Sequence, residues 1–189
     1  PITADDFVFG LRRSADPATG SPAVQVLSPI VNAPEVFAGT LPPEELGVRA
    51  LNEHTVQIDL VAPTPYFLSL LTLPPAYPVH QPSLAEHGQQ YSRPGNLVGN
   101  GAFILSEWAI YSHIKLEKNP HYWDRDQVYL AAVFYYPIVD QNAELAHYRA
   151  GDLDWTYEVP NSQYDWLKLK LPKELVISHC WELITWALI

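Results

Sequence analysis

The chain has 189 residues, enough for one domain or two small ones, and its 48% hydrophobic and 17% charged residues are typical of a globular protein. Its 21 Asp and Glu outnumber its 11 Lys and Arg, and the net charge of −10 argues against nucleic acid or an anionic membrane as a partner. Cys180 is the single cysteine, which excludes an intrachain disulfide and a cysteine-based zinc site, and no apolar run is long enough to predict a membrane span.

Short helices and one hairpin are predicted for the first part of the chain. Thr3 is placed to cap a helix that ends near Ser14, because Asp5 and Asp6 put two carboxylates in its first turn. Turn residues then predict a loop at residues 16–22. Further helices are expected at residues 34–38, 42–46 and 63–73, with an interrupted helix at residues 23–31 and a hairpin at residues 48–60.

A proline-rich crossing follows these elements. Pro74, Pro75, Pro78 and Pro82 fall within nine residues, a density that favours an extended conformation. Extended proline-rich segments commonly separate domains. We therefore predict a domain boundary or linker here, with residues 1–82 before it and residues 83–189 after it.

Residues 96–123 predict a second hairpin. Gly99 and Gly101 at its entry permit positive φ and a tight turn. Pro120 ends the second strand because proline has no N–H for the strand ladder. The two strands are expected at residues 102–108 and 113–118, with Tyr122 and Trp123 closing over an edge of the core.

Helices and strands alternate in the remainder. Asp140 caps and Gly151 stops a predicted helix, whose apolar face carries Leu145 and Tyr148. Because short helices alternate with hairpins, the predicted fold class is α+β with mixed sheets. Further helices are expected at residues 83–87 and 161–171, and strands at residues 129–137, 153–157, 175–178 and 183–189.

Catalytic, metal and cofactor motifs are not found in the sequence. The seven histidines lack HExxH spacing, and there is no P-loop, dinucleotide loop or nucleophile elbow. We therefore expect no cofactor, no metal and no enzymatic activity. One alternative stays open, a carbohydrate-active hydrolase that uses Asp152 and Asp154, which flank Leu153 on one predicted strand face.

The chain is unusually rich in aromatic residues, with 6 Trp, 11 Tyr and 6 Phe. Rings supply large contact areas at little entropic cost, so some are candidates to line a ligand cleft. The late cluster comprises Trp155, Tyr157, Tyr164, Trp166, Trp181 and Trp186.

The two ends of the sequence lead us to expect that the chain is a piece of a longer protein. No methionine is present, and the sequence ends within the apolar run at residues 183–189. An apolar strand of this kind would leave an open edge, so we expect the chain to self-associate through such edges.

Several short segments occur in a recognisable order along the chain. They are PITADDFV (1–8), DPAT (16–19) with SP (21–22), LGVRAL (46–51) with HT (54–55), APTPYF (62–67), VGNGAF (98–103), LEKNPHYW (116–123), YRAGDLD (148–154) and LPKE (171–174). Together they resemble bacterial oligopeptide-binding proteins, the extracytoplasmic solute-binding subunits of ABC peptide importers. No single segment is decisive, but the ordered set is highly specific.

This resemblance implies a two-lobed binding protein that closes around peptide at a hinge. Residues 1–82 would be its small extra lobe and residues 83–189 the middle part of its N-terminal lobe, with the C-terminal lobe absent. The implied ligand is an oligopeptide, and the implied partners are the permease and ATPase subunits. The implied location is the periplasm, free or lipid-anchored on the outer face of the cytoplasmic membrane. The chain alone is not expected to bind peptide well.

The resemblance also nominates ligand contacts. Ala23 stands where many relatives have a tyrosine, and Glu182, Ile184 and Trp186 depart from a stretch usually richer in tyrosine, so the peptide preference is expected to differ. The nominated ligand-binding residues are Ala23, Tyr157, Glu158, Val159, Cys180 and Thr185.

Overall fold

The polypeptide divides into two units in the computed structural model, which describes residues 2–176. The first unit is Pro1–Tyr135 and the second is Tyr136–Ile189. Residues on both sides of position 82 belong to the first unit, and the boundary expected there stays a prediction. The strand expected at residues 183–189, the second half of that at 175–178, and the nominated Cys180 and Thr185 lie outside the described residues.

Helix α1 opens the first unit at the position that its sequence predicts. The Asp6 carboxylate accepts hydrogen bonds from the backbone amide of Thr3 at 2.8 Å and from its hydroxyl at 3.0 Å. These bonds tie the first turn to the residue before it. The helices of this unit are α1 (Ala4–Ala15), α2 (Ala33–Phe37), α3 (Phe67–Leu70) and α4 (Gln81–His87), and the strands are β1 (Val48–Asn52), β2 (Thr55–Ile58), β3 (Phe103–Ala109), β4 (His113–Lys118) and β5 (Ala132–Tyr135).

The core of the first unit lies where α1 meets the hairpin of β1 and β2. These strands are antiparallel, and Val56 and Ile58 pack against the core from β2. A single bridge between Ile30 and Leu60 attaches the loop before α2 to the hairpin. The buried apolar residues are Val8, Leu11, Ala15, Leu27, Ile30, Ala33, Val36, Leu46, Val48, Phe67 and Ala76.

The proline-rich crossing differs from the extended linker that we predicted. Pro74–Ala76 forms a 3₁₀ turn in which Pro75 and Ala76 are buried. Further along, the backbone amide of Val79 donates to the carbonyl oxygen of Asp6 at 3.3 Å. The crossing therefore packs against α1, because its prolines and alanine supply apolar surface that the core can bury.

Strands β3, β4 and β5 form an antiparallel sheet in that order, with an irregularity in the β3–β4 register between Leu105 and Glu107. The predicted second hairpin is confirmed, but its details differ. Gly99 and Gly101 do not adopt positive φ, whereas Tyr111 in the turn has a φ of 62°. Trp123 is 83% exposed, so the expectation that it closes over the core is wrong for the described structure.

The second unit contains α5 (Gln141–Ala150) and α6 (Tyr164–Lys170) within its described part. Asp140 caps α5, since its carboxylate accepts from the Ala143 amide at 2.8 Å, and Gly151 ends it with a φ of 83°. The strand predicted at residues 153–157 is wrong, because this segment forms no ladder within the described residues. Short helices and small antiparallel sheets confirm the α+β class. Within residues 2–176, no helix has the length and apolarity needed to cross a bilayer.

Candidate functional site

The candidate site is the segment of residues 152–159, which follows α5 in the second unit. Gly151 adopts the left-handed conformation that glycine tolerates, and the chain reverses there. The Asp152 amide donates to the carbonyl of His147 at 3.0 Å, near the end of α5. At the other end of the segment, Gln141 Nε2 donates to Glu158 Oε2 at 2.7 Å. The segment therefore returns along α5 towards the start of that helix.

Glu144 binds the same end of the segment, at the residue before Glu158. Its Oε1 atom lies 3.4 Å from the backbone amide of Tyr157, which donates to it. Because Gln141 and Glu144 are three residues apart on α5, their side chains share one helix face. Glu144 thus binds the backbone of Tyr157, and Gln141 binds the carboxylate of Glu158. These two hydrogen bonds hold a segment without regular secondary structure against α5.

Two aromatic rings project from the segment. Trp155 and Tyr157 are 67% and 76% exposed, and their ring centroids lie 5.9 Å apart at an interplanar angle of 77°. This edge-to-face arrangement is a favourable geometry for aromatic pairs. The pair forms a small exposed aromatic patch beside the nominated residues Glu158 and Val159.

The other two residues nominated in the described part of the chain differ in setting. Val159 is half-buried and is followed by the buried Pro160, so less of its side chain is open to a ligand than that of Tyr157. Ala23 lies in the first unit, where it is exposed and has a φ of 57° before the 3₁₀ turn Val24–Leu27. Left-handed φ is uncommon for alanine, which marks Ala23 as a constrained position.

Asp152 and Asp154 do not form the acid–base arrangement that a hydrolase needs. Asp152 Oδ2 lies 3.0 Å from His147 Nδ1, and the side chains of this pair are 62% and 53% exposed. Asp154 is exposed as well. Catalysis by a pair of carboxyl groups takes place in a cleft that positions them around a substrate, whereas both side chains lie open to solvent here. Within residues 2–176, no group of three or more His, Cys, Asp or Glu could hold a metal ion.

A separate cavity of about 650 Å³ lies in the first unit. Its walls include Val79, Val98 and Trp123, and the buried Asn119 borders it with an amide that donates to the Gly101 carbonyl at 2.8 Å. None of the nominated ligand-binding residues lines this cavity. It is therefore a feature distinct from the segment that follows α5.

Sequence reasoning missed Gln141 and Glu144 as residues that position the site. Their spacing on one face of α5 was available, but nothing local indicated that this face meets residues 157 and 158. The sequence shows Trp155 as one of several late aromatic residues, and nothing in it indicates contact with the ring of Tyr157. In a strand, Trp155 and Tyr157 would lie on the same face because they are two residues apart, but the segment is not a strand in the structure.

The chain matches known proteins over nearly its whole length. Residues 1–179 match the family model described as bacterial extracellular solute-binding proteins, family 5, middle. The periplasmic oligopeptide-binding protein OppA of Salmonella typhimurium is 38% identical over 181 residues, which is 94% of this chain and 33% of that protein. The probable deoxycholate-binding periplasmic protein YgiS of Escherichia coli is also 38% identical, over 94% of this chain and 33% of its own length.

A solved structure shows the same likeness in three dimensions. Haemophilus influenzae OppA in complex with the peptide RPPGFSPFR superposes with a TM-score of 0.85 at 37% identity, over 90% of this chain and 34% of that one. The chain thus spans about a third of the length of the proteins that it matches.

Proposed function

The chain belongs to the bacterial extracellular solute-binding proteins of family 5, and from this membership we propose that it is part of a binding protein that captures oligopeptides for an ABC importer. The observation that carries the proposal is the match at 38% identity over 94% of the chain to an oligopeptide-binding protein. A TM-score of 0.85 to a relative in complex with a nonapeptide supports it.

The proposed organisation follows the same likeness. Residues 1–82 would form the small extra lobe, and residues 83–189 the middle part of the N-terminal lobe. The protein would act in the periplasm, free or lipid-anchored, and would deliver its ligand to permease and ATPase subunits. Its role would be binding without catalysis, with no nucleic acid partner. Self-association through open strand edges belongs to the same set of proposals.

The proposed ligand contacts are those that the family likeness nominates. In the described structure, Tyr157 and Glu158 are the best placed, because both are exposed and the segment that carries them is held to α5 by Gln141 and Glu144. Ala23, Val159, Cys180 and Thr185 complete the proposed set. A second candidate ligand class is a bile acid, because a probable deoxycholate-binding relative matches the chain at equal identity.

The test is ligand-dependent thermal stabilisation of the protein as its gene encodes it. A ligand that binds the native state at a hundred times its Kd stabilises it by about 2.7 kcal/mol. Oligopeptides such as RPPGFSPFR should raise the melting temperature, whereas deoxycholate and single amino acids should not. Stabilisation by deoxycholate alone would favour the second candidate and contradict the first.

A pair of tyrosine variants tests the proposed contact. Tyr157→Ala should weaken peptide binding measured by calorimetry. Tyr129→Ala is the control, because Tyr129 is also an exposed tyrosine, at 88%, and is not among the nominated residues. Equal affinities for Tyr157→Ala and the unaltered protein would remove Tyr157 from the proposed site.

A further inference from the structure

Residues 97–100 line the cavity of the first unit and run without helix, turn or bend, and we call them the 97–100 wall. Both ends of this wall are fixed by buried polar side chains. The hydroxyl of Ser83 donates to the carbonyl oxygen of Asn96 at 2.6 Å. The side-chain amide of Asn119 donates to the carbonyl oxygen of Gly101 at 2.8 Å. The wall is therefore held in place although it belongs to no sheet.

The backbone of the 97–100 wall is unpaired between these fixed ends. Among the described residues, the amides of Val98, Gly99 and Asn100 donate to no acceptor, and the four carbonyl oxygens of the wall accept from no donor. A row of free backbone donors and acceptors of this kind is a template for the addition of a strand. The structure thus offers an edge that an extended segment can pair with, and its fixed ends lower the entropic cost of that pairing.

Apolar side chains around this backbone are left open to solvent. Leu97, Val98, Ile104 and Trp123 all line the cavity, and each of them is exposed. Contiguous exposed apolar surface of this kind marks a site of contact. The wall and the cavity beside it therefore offer backbone hydrogen bonds and apolar surface together.

The charge and shape of the cavity define its occupant. Asp6 is the only Asp, Glu, Lys or Arg among the described residues that line it, and its carboxylate already accepts from Thr3. An uncharged, mainly apolar occupant is favoured for this reason. Because the free donors and acceptors belong to successive residues, a polypeptide backbone in extended form satisfies them best.

The source of that polypeptide follows from two further observations. None of the nominated ligand-binding residues lines the cavity, which argues against a peptide ligand here. The chain spans about a third of the length of its relatives, and a protein of their length contains about twice as much further polypeptide. The rest of the same protein is therefore the favoured source.

We infer that the cavity and the 97–100 wall bind an extended, mainly apolar segment of the same protein that lies outside these 189 residues. This segment pairs with the backbone of the wall as an added strand, and it covers Leu97, Val98 and Trp123. The inference goes beyond the proposed function. Its tests do not measure affinity for a ligand, so it stands or fails separately from that function.

Hydrogen exchange, measured residue by residue on the protein as its gene encodes it, tests the pairing. Alternate amides of a strand point to the same neighbour, so either Gly99 or both Val98 and Asn100 should be protected. Without added peptide, the protected amides should exchange at least about 100-fold more slowly than in an unfolded chain. Ala62 and Thr64 are the reference, because their amides have no partner in the described structure and do not line the cavity. Exchange at all three wall amides as fast as at the reference would refute the inference.

The conditions of the exchange experiment separate the other sources of an added strand. Protection that is present without peptide and independent of protein concentration supports a segment of the same molecule. Protection that appears only after addition of RPPGFSPFR would assign the cavity to a peptide ligand. Protection that increases with protein concentration would assign it to a second copy. Either of these last two results would overturn the inference.

A photo-crosslinking residue identifies the bound segment. p-Benzoylphenylalanine in place of Val98 should crosslink within the same molecule to residues outside this chain. The same group in place of Val61 is the matched control, because both valines are exposed, at 55% and 65%, and Val61 does not line the cavity. The control should not give that product. Crosslinks from position 98 only to residues of this chain, or to another molecule, would contradict the inference.

Variants connect the contact to stability. Val98→Asp should lower the melting temperature by about 3 °C or more and make the wall amides exchange rapidly, because it buries a charge without a partner. Val61→Asp, the matched control, should change neither. Val98→Thr adds only a hydroxyl and should give a smaller loss, so it replaces Val98→Asp if that variant does not fold. Equal effects of the same substitution at positions 98 and 61 would show that the wall is not covered.

Discussion

Gly10 of α1 lies against the carbonyl oxygen of Tyr77, so closely that a Cβ atom at Gly10 would overlap with that oxygen and come within 3.2 Å of the Val79 amide nitrogen. This contact seats the proline-rich crossing directly on the first helix. Since both partners at the contact are backbone, neither can move aside as a flexible side chain would.

Gly10→Ala should therefore destabilise the protein. Overpacking of this kind costs about 1–3 kcal/mol, because helix and crossing must separate to admit the methyl group. Urea denaturation followed by circular dichroism measures the loss. Gly99→Ala is the matched control, because Gly99 has open space around it and no positive φ, so its effect should be small. Equal losses for the two variants would contradict the tight contact.

Leu27 should be among the most costly core positions of the first unit. Its side chain is fully buried among the residues that join α1 to the first hairpin. Leu27→Ala should lower the free energy of unfolding by about 2–5 kcal/mol, since it removes buried methyl groups and leaves a cavity. Leu68→Ala, at a position that is 77% exposed, should change it by less than about 0.5 kcal/mol.

Gly151 should be needed for the reversal after α5. Its φ of 83° lies in the region that costs residues with a side chain roughly 1–2 kcal/mol. Gly151→Ala should lower stability by that amount, whereas Gly101→Ala, at a glycine without positive φ, should be nearly neutral. Comparable stabilities of the two variants in thermal melts would show that the reversal does not depend on glycine.

Tyr148 should titrate above the ordinary range for tyrosine. Its hydroxyl donates to Glu174 Oε2 at 2.7 Å, and this hydrogen bond, with desolvation and the negative charge of Glu174, raises the pKa of the phenol. Because the pKa is higher in the folded state, the stabilisation is complete below the unfolded value near 10.0 and is lost as pH rises through the folded value.

Ultraviolet difference titration of tyrosinate measures this shift. Glu174→Gln should move the titration of Tyr148 to lower pH, because it removes the charged acceptor. Tyr148→Phe should delete the same component from the titration curve and so identify it. A curve unchanged by Glu174→Gln would mean that the hydrogen bond does not form in solution.

The local elements of this protein were largely predictable from short sequence patterns. The helix from Asp140 to Gly151 carries its cap and its stop within its own segment, and the structure has both. The start of α1 at Thr3 and Asp6 is of the same kind. The ordered family segments were equally readable, and the family match over residues 1–179 confirms them.

Predictions failed where a local pattern had more than one outcome. Residues 153–157 alternate like a strand, but the backbone at Tyr157 donates to a side chain of α5 instead of to a ladder. Gly99 and Gly101 looked like turn glycines, yet it is Tyr111 that adopts positive φ. The sequence limits the conformations that a residue can adopt, and the surrounding structure selects among them.

Sequence alone was therefore sufficient for the class, the family and most helices, because capping, periodicity and turn chemistry act over a few residues. Only the tertiary structure showed that Glu158 meets Gln141, 17 positions earlier, and that the crossing at Tyr77 seats on Gly10. Such contacts depend on which surfaces fit together once the chain is compact. Their stability comes from burial between segments that are distant in the sequence, so no short stretch of sequence predicts them.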